Sequence, residues 1–271
     1  MKLAWLTDIH LNFLHHENGS RIFGQAVREE IDCDACVITG DIAEGNSLQY
    51  CLSEFKAGFE KPVYFVLVNH DFYNRSFKEV EDNVKKYLHK PDKGLVWLRI
   101  SDPIKLNNNT CLVGCCGFYD GLAGNSFMSH VGMMDWDVIK DFAGKKRKDL
   151  LGAIKNKSHN LAIKAELNLE KACEAGYDNI LFATHYPPFP EACWHMGKQS
   201  DENWLPWFTS VMMGNILAKI ALKYPKKQFT VLCGHTHSEG IYKHFDNLIV
   251  YTGKAVYYKP NVHMVLDLTD V

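Results

Sequence analysis

Five short clusters of metal-ligand residue types punctuate the chain: Asp8-Ile9-His10, Gly40-Asp41, Asn69-His70-Asp71, Thr184-His185 and Gly234-His235-Thr236-His237. Each directly follows an apolar run. Taken singly, every one has a plainer reading: Gly-Asp is a turn, His185 a satisfied core histidine, His235 and His237 loop residues. Taken together they supply carboxylate, imidazole and amide donors at five strand ends. That is the donor set of a binuclear metal centre. The Asp41 carboxylate has two oxygens able to bridge two cations. Asn69 offers a hard amide oxygen, and His70-Asp71 pairs a possible acid with an orienting carboxylate. Asp8 and His10, one residue apart at a strand end, are expected on the same side by alternation.

The elements that must carry these clusters can be read from apolar periodicity. Runs 2–7, 35–39 and 62–68 predict strands that stop at Asp8, Gly40-Asp41 and Asn69. Helical spacing is expected over 20–31, 47–57, with Gly58 as a stop, and 76–89. Short β runs follow at 95–100, 103–106 and 110–116, separated by turns. A long amphipathic helix is expected over 146–175, a strand over 179–184 leading to His185, and a helix over 209–223. The final β runs are 228–233, 240–245, 247–252 and 262–268. Strand–helix alternation with polar residues at strand ends implies α/β layering. Two half-chains, each building a mixed sheet, imply two packed mixed β-sheets flanked by helices. One domain spanning 1–271 is expected, with cap-like loop regions around 117–145 and 187–208.

Composition narrows the partners. The chain has 271 residues, 46% hydrophobic and 23% charged, with a net charge of −2. Nothing in that balance draws the chain to nucleic acid or an anionic membrane. No apolar run approaches the ~20 residues of a membrane span, and the N-terminus lacks a signal-peptide pattern. The basic run Lys145-Lys146-Arg147-Lys148 reads as a solvated helix start. Nine cysteines, an odd number without a secretory signal, imply reduced thiols in a cytoplasm. Cys33-Asp34-Ala35-Cys36 has redox or zinc spacing but lacks a second pair, and Cys36 fits a strand interior.

The order of the five clusters resembles the calcineurin-like metallophosphoesterase superfamily, whose pattern runs Asp-x-His, Gly-Asp, Gly-Asn-His-Asp/Glu, His, Gly-His-x-His. The resemblance spans residues 8 to 237, with one departure: Val68 stands where the pattern has glycine. It implies a four-layer α/β/β/α sandwich and a metal-dependent phosphoesterase. Asp8, His10 and His237 would hold one divalent ion, Asn69, His185 and His235 a second, and Asp41 would bridge them. Nitrogen and oxygen ligands suit Mn, Fe, Zn or Ni. Two ions ~3.5–4 Å apart can clamp a phosphoryl group and bring a bridging water's pKa toward neutrality, so that hydroxide attacks phosphorus. His70 would assist at the leaving oxygen, with Asp71 orienting it.

The protein Ser/Thr phosphatase branch carries Gly-Asp-x-x-Asp-Arg-Gly, whereas this chain has Gly40-Asp41-Ile42-Ala43-Glu44-Gly45. It looks more like the bacterial-type phosphodiesterases and small phosphoesterases. The substrate would be a small phosphoester, a nucleotide among the candidates. Arg75, His15, His16, Trp194, His195 and Trp204 are candidates to line the cleft. A nuclease acting on nucleic-acid ends and a non-catalytic scaffold of the same fold are the competing readings. A metallo-β-lactamase-like hydrolase would need a His-x-His-x-Asp-His cluster, which the chain lacks.

Overall fold

A computed structural model describes residues 1–14, 18–89 and 94–268. In chain order the elements begin β1 (Lys2–Leu6), α1 (Gly19–Glu30), β2 (Ala35–Ile38), α2 (Leu48–Phe59), β3 (Val63–Phe65), α3 (Phe77–Leu88) and β4 (Leu95–Trp97). Next come β5 (Ile104–Lys105), β6 (Thr110–Gly114), α4 (Asp135–Val138), α5 (Arg147–Glu174), β7 (Asn179–Ala183), β8 (Trp194–His195) and β9 (Lys198–Gln199). The chain then runs through α6 (Leu205–Phe208), α7 (Val211–Lys223), β10 (Gln228–Cys233), β11 (Gly240–Phe245), β12 (Leu248–Thr252) and β13 (Met264–Asp267).

Two large mixed sheets result. The first has the order β13-β1-β2-β3-β4, parallel except for β13, which pairs antiparallel with β1. The second runs β11-β12-β10-β7-β6-β5, with a parallel centre and antiparallel edges. Strands such as Ala35–Ile38 and Thr110–Gly114 are buried along their whole length, as parallel strands covered on both faces must be. Helices α1 and α2 pack together, while α5 packs against α7, β6 and β7. This is the expected four-layer arrangement. No helix among the described residues is long and apolar enough to cross a membrane.

Some local expectations are corrected. The run 62–68 is a strand only over Val63–Phe65, and its last three residues are a buried segment leading to Asn69. Gly58 does not stop α2, which runs on to Phe59. It lies where α1 and α2 cross: a Cβ there would overlap the Arg21 carbonyl oxygen, and one on Gly24 would overlap that of Phe55. All nine cysteines are buried and free, consistent with packing rather than redox use.

Between the two halves sits a half-buried ionic knot. Glu81 of α3 binds Arg99 Nη2 at 2.6 Å and Lys157 Nζ of α5 at 3.1 Å. Burial opposes ionisation of Glu81, but Arg99 and Lys157 win and hold it at about 2. A carboxyl group lowered in the folded state stabilises above its unfolded value, 4.5, and that contribution fades as pH falls toward 2. Glu81→Gln would leave a buried arginine and a half-buried lysine short of a partner. The expected cost at pH 7 is about 3 kcal/mol, roughly 5–10 °C in melting temperature. Thermal denaturation at pH 7 and pH 3 checks it, because the gap between wild type and variant should narrow at the lower pH.

Candidate metal centre

The five clusters meet at the C-terminal ends of the parallel strands, where loops from both sheets face each other. The first departure from expectation concerns how they are presented. β1 ends at Leu6, so strand alternation does not orient Asp8 and His10. Both lie in left-handed backbone instead, at φ 50° and 40°, and so do Asp41 at 49°, His235 at 70° and His237 at 55°. Non-glycine residues seldom adopt this region, and such strain concentrates where a site dictates the geometry.

Asp8 is the anchor of the cluster. Its carboxylate accepts hydrogen bonds from Thr7 Oγ1 at 2.6 Å and from the His235 backbone N–H at 3.1 Å to each oxygen. His237 Nε2 lies 3.3 Å from Asp8 Oδ1. The approach is so close that a Cβ on Gly234 would overlap Thr7 Oγ1 and Asp8 Oδ2. Asp8, His10, Asp41 and His237 each offer a ligand atom, all within 4.8 Å of one another.

Asp41 occupies the middle. Its Oδ2 is 3.7 Å from His10 Nε2, 3.6 Å from His185 Nε2 and 3.9 Å from His70 Nε2. On the far side His185 Nε2 faces His235 Nδ1 across 3.3 Å. The other His185 nitrogen, Nδ1, bonds the Thr39 carbonyl at 2.9 Å, which leaves Nε2 with its lone pair toward the site. Val68, at the departure from the resembled pattern, donates its N–H to Asp71 and packs its side chain over Gly40.

Electrostatics favour ligation. Burial pushes His10 down to about 3, and burial likewise lowers His70, His185 and His235. Shifts in this direction favour the uncharged imidazole, the form that binds a metal. Burial, with Asp8, Asp71 and Asp135 nearby, raises Asp41 well above the carboxylate range. For Asp8, burial is outweighed by His185 and His237, which hold it low. Both His10 ring nitrogens, Asn69 Oδ1, His70 Nδ1 and His235 Nε2 are buried without a hydrogen-bond partner. Buried polar atoms ordinarily find partners, so this many orphans at one point fit cations as the missing partners. Thiolates are absent from the group, so the donor set suits borderline or hard divalent ions.

Asp71 departs from its expected role. Its carboxylate does not touch the His70 ring; Oδ1 accepts the N–H groups of Ile42 and Ala43 at 2.9 and 3.1 Å, and Oδ2 that of Val68 at 2.9 Å. It pins the loop after β2 to the loop after β3. The His70 ring is held by stacking on Tyr73, with centroids 4.2 Å apart.

The cleft over the centre has a volume of about 250 Å³. Gly132–Asp135 from one expected loop region and Trp204 and Phe208 from the other both line it. Arg75 does not; its Nε binds Asn46 Oδ1 at 2.6 Å. Trp194 is also outside the lining and packs against Gly240. His195 sits behind Phe208 and Trp204, with centroids 5.9 and 6.5 Å away. His15 and His16 lie outside the described residues. Two contributors have no sequence motif. Asp135 accepts a hydrogen bond from Asn69 Nδ2 at 3.1 Å and one from Tyr73 Oη at 2.6 Å, which turns Asn69 Oδ1 toward the centre. Tyr257 lies 4.7 Å from His10 and 4.6 Å from His237 by ring centroids.

Fold and site define an α/β protein whose strand ends carry a possible metal-binding group. The chain belongs to the calcineurin-like phosphoesterase family, whose model matches residues 1–239. Its fold is similar to that of phosphopantetheinyl hydrolase from Mycobacterium tuberculosis, with a TM-score of 0.68 and 14% identity over 94% of this chain and 89% of that one. It is also similar to a dimetal phosphatase from Danio rerio, with a TM-score of 0.54 and 15% identity over 94% and 87%. At these identities the likeness is one of fold. No curated protein matches the chain.

Proposed function

We propose that this protein is a binuclear metal-dependent phosphoesterase acting on a small phosphoester. The observation that carries the reading is the convergence of buried imidazoles on the Asp41 carboxylate, beside several ring nitrogens and an Asn69 oxygen that lack a hydrogen-bond partner. In this reading Asp8, His10 and His237 hold one divalent ion, Asn69, His185 and His235 hold another, and Asp41 lies between them. Mn, Fe, Zn or Ni would fit the donors. When bound, such ions supply Lewis acidity at the phosphoryl oxygens and a water acidic enough to serve as nucleophile near neutral pH.

The chain's own groups do the rest. Thr39 fixes the His185 tautomer and Asp135 the Asn69 rotamer, so both ligands are oriented before anything binds. His70, stacked on Tyr73 and facing Asp41, is placed to hydrogen-bond the phosphoryl group or the departing oxygen. We read residues 1–271 as one domain: β13, beyond the family match, completes the first sheet by pairing with β1.

Chelation should abolish hydrolysis of bis(p-nitrophenyl) phosphate and p-nitrophenyl phosphate, and added Mn should restore it. His70→Ala should lower kcat by roughly a hundredfold with the metal content intact. Absorbance assays paired with metal analysis by mass spectrometry check both. Protein carrying two ions yet inert toward both esters would overturn the proposal.

A further inference from the structure

Beyond the metal-ligand groups, the cleft has an unusual wall for a phosphate site. No lysine or arginine is among its described lining residues. Its outer wall is built from Met133, Met134, Trp204, Phe208 and Tyr257. Trp204 and Phe208 lie with ring centroids 4.9 Å apart at 35°, and Phe208 meets His235 edge-on at 4.9 Å. Trp204 is 37% exposed and Met134 64% exposed. An apolar surface therefore begins at a proposed ligand and runs outward to solvent.

A phosphoryl group under attack has a leaving oxygen and three others. In a monoester all three share a dianionic charge, which proteins commonly meet with arginine or lysine. In a diester one of them carries a second organic arm, which needs an apolar bed instead. The proposed cations would meet the phosphoryl charge of either ester, so it is the apolar bed in this wall, with no cationic side chain to spare for a second charge, that favours the diester. Flat rings stack on indole and phenyl faces, whereas small alkyl arms gain little from them.

We infer that the substrate is a phosphodiester with a flat aromatic ester arm seated against Trp204 and Phe208, an inference that rests on the phosphoesterase reading above. Hydrolysis would break one P–O ester bond. Water would supply the oxygen left on phosphorus and the proton taken by the departing alcohol.

Binding can be read without turnover by using ligands that contain no ester bond. The Mn-loaded protein is titrated calorimetrically with diphenylphosphinate, dimethylphosphinate and phenylphosphonate. Diphenylphosphinate should bind about tenfold or more tighter than dimethylphosphinate, and tighter than the dianionic phenylphosphonate. Trp204→Ala should remove most of the aryl preference, and Trp204→Phe should keep it. Equal affinity for the two phosphinates, tightest binding of phenylphosphonate, or a preference untouched in folded Trp204→Ala would each overturn the inference. Hydrolysis of the two nitrophenyl esters, measured alongside, separates the failures. Absence of any turnover sinks the phosphoesterase reading, while turnover without aryl preference sinks only this one.

Discussion

Asp41→Asn is expected to lose hydrolysis by roughly a thousandfold or more while the metal-free protein becomes more stable. Asparagine is nearly isosteric with aspartate and tolerates the left-handed φ of 49° at this position, so the backbone should not change. What changes is charge. The carboxyl is buried, with Asp8, Asp71 and Asp135 near it, so in the metal-free protein it ionises only well above the carboxylate range, and taking up that proton on folding near neutral pH is a burden. An amide relieves it. With cations present the balance reverses, because the oxygen facing His10, His185 and His70 no longer carries the anion proposed to sit between two ions. Calorimetric melting with and without Mn reads both signs at once. The metal-free melting temperature should rise by a few degrees, and the increase on adding Mn should shrink or vanish. A metal-free variant less stable than wild type would show that Asp41 serves packing instead.

Asp71→Asn should be the most damaging single exchange outside the proposed ligands. The carboxylate answers three backbone N–H groups with two acceptor oxygens. An amide has one acceptor oxygen, so its NH2 must point at Val68 N–H or at the pair from Ile42 and Ala43. Burial raises the Asp71 carboxyl to about 7 against the pull of these bonds, so the main loss is a buried donor left unpaired, which costs about 1–3 kcal/mol. The two loops so joined carry Asp41 and Asn69, so metal affinity should fall with stability. The alternative, in which Asp71 acts through the acidity of His70, makes a different forecast. It would leave metal content and melting temperature near wild type and move the pH profile of kcat. Urea unfolding, metal analysis and a pH–rate profile together decide between them.

The positions of the proposed ligand residues are readable because each follows a strand whose apolar run is unmistakable. Phe229–Cys233 announces β10 and therefore His235 and His237. The long helix was equally plain, since Leu150, Ile154, Leu161 and Leu169 repeat on one buried face. Harder to read was anything whose meaning comes from a distant partner. Asp71 reads as an orienting carboxylate because it adjoins His70, yet its hydrogen-bond partners are the backbones of Ile42 and Ala43, far back in the chain, and of Val68. Asp135 sits in a loop with no periodicity, and only the folded chain brings it to Asn69. Asp8 and His10 illustrate a third kind of miss. Their side was guessed from strand pleating, while the actual cause is a left-handed turn that apolar pattern does not encode.

The bond from the His235 backbone to the Asp8 carboxylate joins positions 227 residues apart. Asp8 is therefore made well before its partner, and the arrangement around it cannot form until His235 follows. Cations bound as proposed could not assist until both residues are made, and would thereafter act as a latch on the folded protein. A chain stopped short of His235 would then lack the full donor set for the proposed pair of cations, and the span between these two residues would time their loading.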